Sequence, residues 1–244
     1  SAGALGRQTI RAKAATPPRN PGVRRTENRR WSGLRGIMIR TVMNEDILAS
    51  REDLRRGAIA RREALTETAR QALTTRLEVH LAELLETLQP GCLAFCWPYR
   101  GEPDLRHFMA RWLGADPSRQ AALPVVLDRH RPLVFRAWTP ATRLVPDRHG
   151  IPHPPAGPEV MPQVVLVPLN AFDAAGYRIG YGGGYFDRTL AAAEMVAVGV
   201  GFEIGRVNST LPQAHDRPMD WIVTEVGAGM SGDAVRRETS DRSG

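Results

Sequence analysis

The sequence predicts an α/β layered fold, with a largely parallel central sheet flanked by helices in a single domain. Three observations carry this. Short, wholly apolar runs recur near residues 92–97, 164–167 and 196–202, as strands buried on both faces require. Segments of helical period precede and separate them. The 244 residues suffice for one sizeable core and make one domain the default.

The elements follow in order. Ser50 is placed to cap a first helix, with Asp53 three residues on as in a capping box. Leu54, Ala58 and Leu65 lie close to one face of it. Thr66 caps a second helix running to about Leu88, in which Leu73, Leu77, Leu81, Leu84 and Leu88 repeat at three and four. Pro90 and Gly91 stop it. The run 92–97 reads as a buried strand, 104–113 as a helix, and 123–127 and 133–138 as strands. Seven prolines between 140 and 162 predict an ordered loop crossing the surface. A strand at 164–167, a helix at 185–193, a strand at 196–202 and a short strand at 221–224 complete the pattern. The folded domain is therefore bounded at 46–227, and 228–244 is expected to be a disordered tail.

Charge divides the chain. The formal net charge is +7, yet residues 1–45 hold ten Lys and Arg against two acids, and residues 46–244 hold 23 against 24. The basic character belongs to an N-terminal extension with a Pro-Pro pair and no sustained apolar period, expected to be disordered. Met38 and Met43 are candidate start residues. Lys13 is the one lysine of the chain, so phosphate chemistry beyond residue 45 must use arginine, backbone N–H groups or a metal. No run of 18 apolar residues exists, which excludes a transmembrane helix by hydropathy. Two cysteines, Cys92 and Cys96, make no disulfide framework. On one strand they stand roughly 13 Å apart, and read as core thiols of a reducing cytoplasm.

The informative segment is residues 166–190. A strand ends at Pro168, a turn-rich loop follows with Asp173 and Gly176, and Arg178, Gly180, Gly182, Gly183 and Gly184 then lead into a helix. Glycines let backbone approach an anion, and the helix start offers free N–H donors and a positive dipole end. Arg178 can add a bidentate contact to a phosphate or carboxylate. Asp187, in the first turn, suits Mg²⁺ or simply favours the dipole. The loop is neither a Walker A motif nor a G-x-G-x-x-G fingerprint. His149 and His153 lack a matching Cys or His pair for zinc.

The string Pro168-Leu-Asn-Ala-Phe-Asp173, followed by Gly176-Tyr-Arg-Ile-Gly-Tyr-Gly-Gly-Gly-Tyr-Phe-Asp-Arg188, resembles the signature of the 5-formyltetrahydrofolate cyclo-ligase family. Three further stretches resemble that family in order: Arg51-Glu-Asp-Leu-Arg55, Trp97-Pro-Tyr-Arg-Gly-Glu102, and Leu211-Pro-Gln-Ala-His-Asp216 with Asp220 and Ile222-Val-Thr-Glu225. The resemblance implies ATP- and Mg²⁺-dependent conversion of 5-formyltetrahydrofolate to 5,10-methenyltetrahydrofolate, with release of ADP and phosphate. It implies ATP contacts from Arg51, Arg55, Arg178 and the backbone of Ile179, Gly180, Tyr181, Gly182, Gly183, Gly184, Tyr185 and Phe186. Arg178 and Asp187 would be catalytic, and Asp187 and Asp216 would bind Mg²⁺. Trp97, Glu102, Tyr181 and Tyr185 would line the folate site.

Read without the resemblance, Arg51 and Arg55 are an exposed i, i+4 pair, Asp216 is a turn acid, and Trp97, Tyr181 and Tyr185 are packing residues. The sequence also departs from the family pattern. Arg51 stands where many members carry lysine and Gly183 where some do, and arginine is not isosteric with lysine. The expected partner is a small molecule, with no membrane association, in a cytoplasmic monomer. Two alternatives stay open: a diverged member binding a nucleotide with another substrate, and weak nucleic-acid binding by the basic extension.

Overall fold

The computed structural model describes residues 50–232. The basic extension and residues 233–244 lie outside them. Helices α1 (Arg51–Glu63) and α2 (Glu67–Leu88) lead to strand β1 (Cys92–Ala94) and helix α3 (Arg106–Gly114). Strands β2 (Gln120–Val125), β3 (Val134–Trp138), β4 (Val145–Pro146), β5 (Pro152–His153), β6 (Val164–Pro168), β7 (Ala171–Phe172) and β8 (Arg178–Ile179) follow. Then come α4 (Tyr185–Ala192), β9 (Val196–Val200), a 3-10 turn (Glu203–Gly205), β10 (Trp221–Thr224) and β11 (Gly227–Met230).

Seven strands form one sheet in the order β11-β10-β9-β6-β1-β2-β3. The five from β10 to β2 are parallel, and β3 and β11 close the edges antiparallel. Alternation sorts the apolar strands onto two faces. Leu93, Leu166, Val198 and Val223 face Leu77, Leu81, Leu84 and Leu85 of α2 and Phe108, Met109 and Trp112 of α3. Ala94, Val165, Val167, Ala197 and Ile222 face the other way, with Phe172, Met219, and Phe186 and Leu190 of α4. Both faces are covered, as a parallel sheet requires.

The helix starts match their caps. Ser50 Oγ accepts from Asp53 N at 3.1 Å while Asp53 accepts from Ser50 N at 3.1 Å. Thr66 Oγ1 accepts from Ala69 N at 3.2 Å. Helix α1 ends at Glu63, so Leu65 lies in the turn beyond it.

Other boundaries shift for local reasons. The predicted strand 92–97 stops at Ala94, although Phe95 N still donates to Ala122 O at 3.0 Å. The chain then leaves the sheet through a turn in which Arg100 and Gly101 have φ of 50° and 75°. The helix expected from 104 starts at Arg106, where Asp104 Oδ1 accepts from Arg106 N. The proline-rich loop contains the small β4–β5 ribbon.

The expected disorder after Gly227 is corrected: residues 227–230 pair antiparallel with β10. That strand is Gly-Ala-Gly-Met and largely exposed, so backbone pairing to an edge orders it and hydropathy carries no sign of it.

Parallel strands send their carboxyl ends to one edge of the sheet, where sites in such folds gather. The β1–α3 connection leaves from there, as does the β6–α4 connection with its β7–β8 hairpin. Helix α1 packs on that hairpin through Ala58 against Ala171 and Ile179.

Candidate active site

The glycine loop runs from β8 to α4. Gly182 and Gly184 have φ of 91° and 62°, a region that favours glycine. Gly184 is the N-cap of α4 and no side chain caps the helix. The first N–H groups of α4 therefore have neither an intrahelical acceptor nor a side-chain cap. Arg188 closes the loop from below: Nη2 donates to Gly183 O at 2.8 Å, and its guanidinium lies 5.0 Å from the Tyr185 ring centre. A Cβ on Gly183 would meet that ring at 2.7 Å.

Two ion pairs stand beside the loop. Arg178 Nη2 donates to Asp187 Oδ1 at 3.2 Å, and Nη1 to Arg217 O at 2.9 Å. Arg51 Nη1 donates to Asp216 Oδ2 at 2.7 Å and to Leu211 O at 2.9 Å. The pairs are joined through the backbone, since Arg217 N donates to Asp187 Oδ1 at 3.1 Å. Burial pushes the Arg178 guanidinium below its ordinary pKa, and Asp187 opposes that shift. Arg55 Nε donates to Gly180 O at 2.7 Å, and its guanidinium also pairs with Glu52. A Cβ on Gly182 would lie 3.6 Å from Arg55 Nη2. Arg51, Arg55, Arg178, Asp187, Asp216 and the glycine backbone thus converge from three separate stretches of chain.

A second cluster surrounds Glu102 in the turn after β1. Glu102 Oε1 accepts from Tyr181 Oη at 2.8 Å, and Oε2 accepts from Tyr99 N at 3.0 Å. Arg62 Nη2 donates to Tyr181 Oη at 2.8 Å and lies 3.9 Å from Glu102 Oε1. Burial raises the Glu102 carboxyl above the usual range, against the pull of Arg62 and its hydrogen bonds. Burial and Glu102 raise the Tyr181 phenol as well. Tyr99 and Tyr181 stack edge to face at 5.4 Å.

The remaining predicted residues lie apart from that cluster. Trp97 packs at the margin of the core with the Arg106 guanidinium 4.9 Å from its ring centre. Tyr185 turns toward the proline-rich loop, where Arg148 Nη2 donates to its hydroxyl at 2.9 Å. Phe186 packs on the sheet, and the Ile179 side chain is fully buried against α1, leaving only its backbone for a ligand. Cys92 is buried, whereas Cys96 is only partly so, with Sγ 3.8 Å from Leu166 O.

Sequence reasoning passed over Arg62, Tyr99 and Arg148. Arg62 had a signal: it falls at helical spacing among Leu54, Ala58 and Leu65, an arginine set into an apolar stripe. Arg148 had none, because a long loop brings it in.

Among the described residues no group of three or more His, Cys, Asp or Glu could hold a metal alone. Asp187 and Asp216 are hard oxygen donors, and Mg²⁺ is commonly held by one or two carboxylates plus phosphate oxygens and waters. The donor set therefore fits Mg²⁺ arriving with a polyphosphate, and fits an all-protein metal site poorly.

Fold and site define an α/β protein with an arginine-flanked glycine loop at the carboxyl edge of its sheet, a class whose loop chemistry suits anionic small molecules. The particular family follows from comparison. The model of the 5-formyltetrahydrofolate cyclo-ligase family matches residues 47–225, and the chain belongs to that family of enzymes. It is 29% identical over 147 residues to a 5-formyltetrahydrofolate cyclo-ligase of Haemophilus influenzae, covering 56% of this chain and 76% of the relative. The Escherichia coli protein of that name is 29% identical over 136 residues, covering 53% and 74%. The solution structure of Aquifex aeolicus 5,10-methenyltetrahydrofolate synthetase superposes with a TM-score of 0.66 at 29% identity, covering 75% of this chain and 93% of that one. The synthetase of Mycoplasma pneumoniae, at 20% identity and a TM-score of 0.58 over 72% and 98%, shares the fold.

Proposed function

We propose that this enzyme converts 5-formyltetrahydrofolate and ATP to 5,10-methenyltetrahydrofolate, ADP and phosphate. The observation that carries the reading is the convergence of Arg51, Arg55 and Arg178 on a glycine loop that ends in an uncapped helix. These groups and the loop amides bind the triphosphate. Asp187 and Asp216 hold Mg²⁺, which neutralises phosphate charge when bound. Glu102 accepts hydrogen bonds from the pterin edge, and Tyr181, with Trp97 and Tyr185 nearer the rim, bounds the folate.

The formamide at N5 is a poor electrophile. The formyl oxygen attacks the γ-phosphorus, the bond to the β-phosphate oxygen breaks, and ADP leaves. N10 then attacks the activated carbon, its proton is lost, and the carbon–oxygen bond breaks to release phosphate. The chain supplies positioning and charge neutralisation. No helix among the described residues is long and apolar enough to cross a membrane, and the reaction needs only small soluble reactants.

An isotope experiment tests this route. Substrate labelled with oxygen-18 in the formyl group should deliver the label to released phosphate. Label appearing in water instead would contradict phosphorylation of the formyl oxygen.

A further inference from the structure

We propose that Arg62 is a positioning residue of the folate subsite, holding Glu102 as a hydrogen-bond acceptor and fixing Tyr181 beside it. This role rests on the reading that Glu102 receives the pterin edge.

Arg62 is 3% exposed and donates in four directions. Nε reaches Arg100 O at 3.0 Å, Nη1 reaches Leu169 O at 3.2 Å and Asn170 Oδ1 at 2.9 Å, and Nη2 reaches Tyr181 Oη. Those acceptors belong to the turn after β1, the end of β6 and the glycine loop. One guanidinium from α1 therefore ties together the segments that frame the subsite. A buried arginine is a poor device for stability alone, since its desolvation offsets much of the gain.

The direction of the hydrogen bonds assigns the role. Arg62 can only donate, so the Tyr181 hydroxyl must accept from it and pass its single proton on to Glu102. The backbone N–H of Tyr99 occupies the other carboxylate oxygen as a donor too. Every protein group bonded to Glu102 thus donates, which satisfies the ionised carboxylate. The remaining lone pairs suit a ligand presenting paired N–H donors, as an aminopyrimidine does.

The groups facing Glu102 are few. Arg62 comes from α1, Tyr181 from the glycine loop, and Cys96 from the segment just beyond β1, its thiol pushed up by desolvation and by Glu102 itself. Arg62 is the one cation among them, and it opposes the upward push of burial on the Glu102 carboxyl.

The test compares Arg62→Gln and Arg62→Lys with wild type in the full chain. Removing the cation should raise the Glu102 pKa, because a nearby positive charge favours the ionised form. The acidic limb of kcat/KM for the folate should move up by about one pH unit in Arg62→Gln. The KM for folate should rise about tenfold while that for ATP stays within about twofold. In ligand-free protein the Glu102 carboxyl carbon, identified by its loss in Glu102→Gln, should titrate correspondingly higher by NMR.

Should Arg62→Gln not fold, Arg62→Lys carries the test. It keeps the charge but loses the planar fork, so the limb should hold while the folate KM rises about fivefold. An unshifted limb with unchanged KM in Arg62→Gln, or a wild-type folate KM in Arg62→Lys, overturns the proposal. Turnover with those results overturns this role alone; no turnover by folded wild type overturns the function and this role together.

Discussion

Arg178 and Asp187 hold one another at the foot of the glycine loop: Nη2 lies 3.2 Å from Oδ1, and the same oxygen accepts Arg217 N at 3.1 Å. The pair therefore fixes both the loop and the segment carrying Asp216. Arg178→Ala should lower kcat/KM by about 100-fold or more, as loss of a fixed donor at developing charge does. The accompanying loss of stability should be about 1–3 kcal/mol. Asp187→Asn should raise the Mg²⁺ concentration for half-maximal rate about tenfold. Steady-state rates across a Mg²⁺ series check both, and near-normal rates would remove these residues from the mechanism.

Gly183 and Tyr185 are sterically coupled, because a Cβ at 183 would meet the tyrosine ring at 2.7 Å. Gly183→Ala should raise the KM for ATP several-fold. Combining it with Tyr185→Ala should give less than the product of the two single effects, since the ring is then gone. Strictly multiplicative effects would show that the ring does not limit the loop.

Glu102 makes stability depend on pH. Burial raises its pKa in the folded state above the unfolded value, so the folded state binds more protons between the two. Stability then falls as pH climbs through that window, from about 4.3 upward. Glu102→Gln removes the fall. Thermal melts should show the variant gaining on wild type as pH climbs above the unfolded carboxylate range. A difference in Tm that is flat with pH would contradict the shift.

The sequence showed the parallel core plainly, because Val164, Val165, Leu166 and Val167 are buried on both sheet faces and no amphipathic alternation hides them. The first two helix starts were equally plain, since Ser50 and Thr66 act on donors three residues away. The edge strand Gly227–Met230 was not legible, because its order comes from a partner's backbone. Within the candidate site, Arg178, Glu102 and the glycines were singled out through the family pattern. The pairing of Arg51 with Asp216 joins residues 165 positions apart, and spacing holds no trace of it. Arg62 was overlooked for a different reason: an arginine on a short helix reads as solvated unless its place within the apolar stripe of Leu54, Ala58 and Leu65 is weighed.

The most direct measurement follows near-ultraviolet absorbance as purified protein meets 5-formyltetrahydrofolate. With MgATP the methenyl product should appear as rising absorbance, and without ATP or without Mg²⁺ the trace should stay flat. A flat trace with MgATP, at high concentration of protein shown to be folded, would contradict the account.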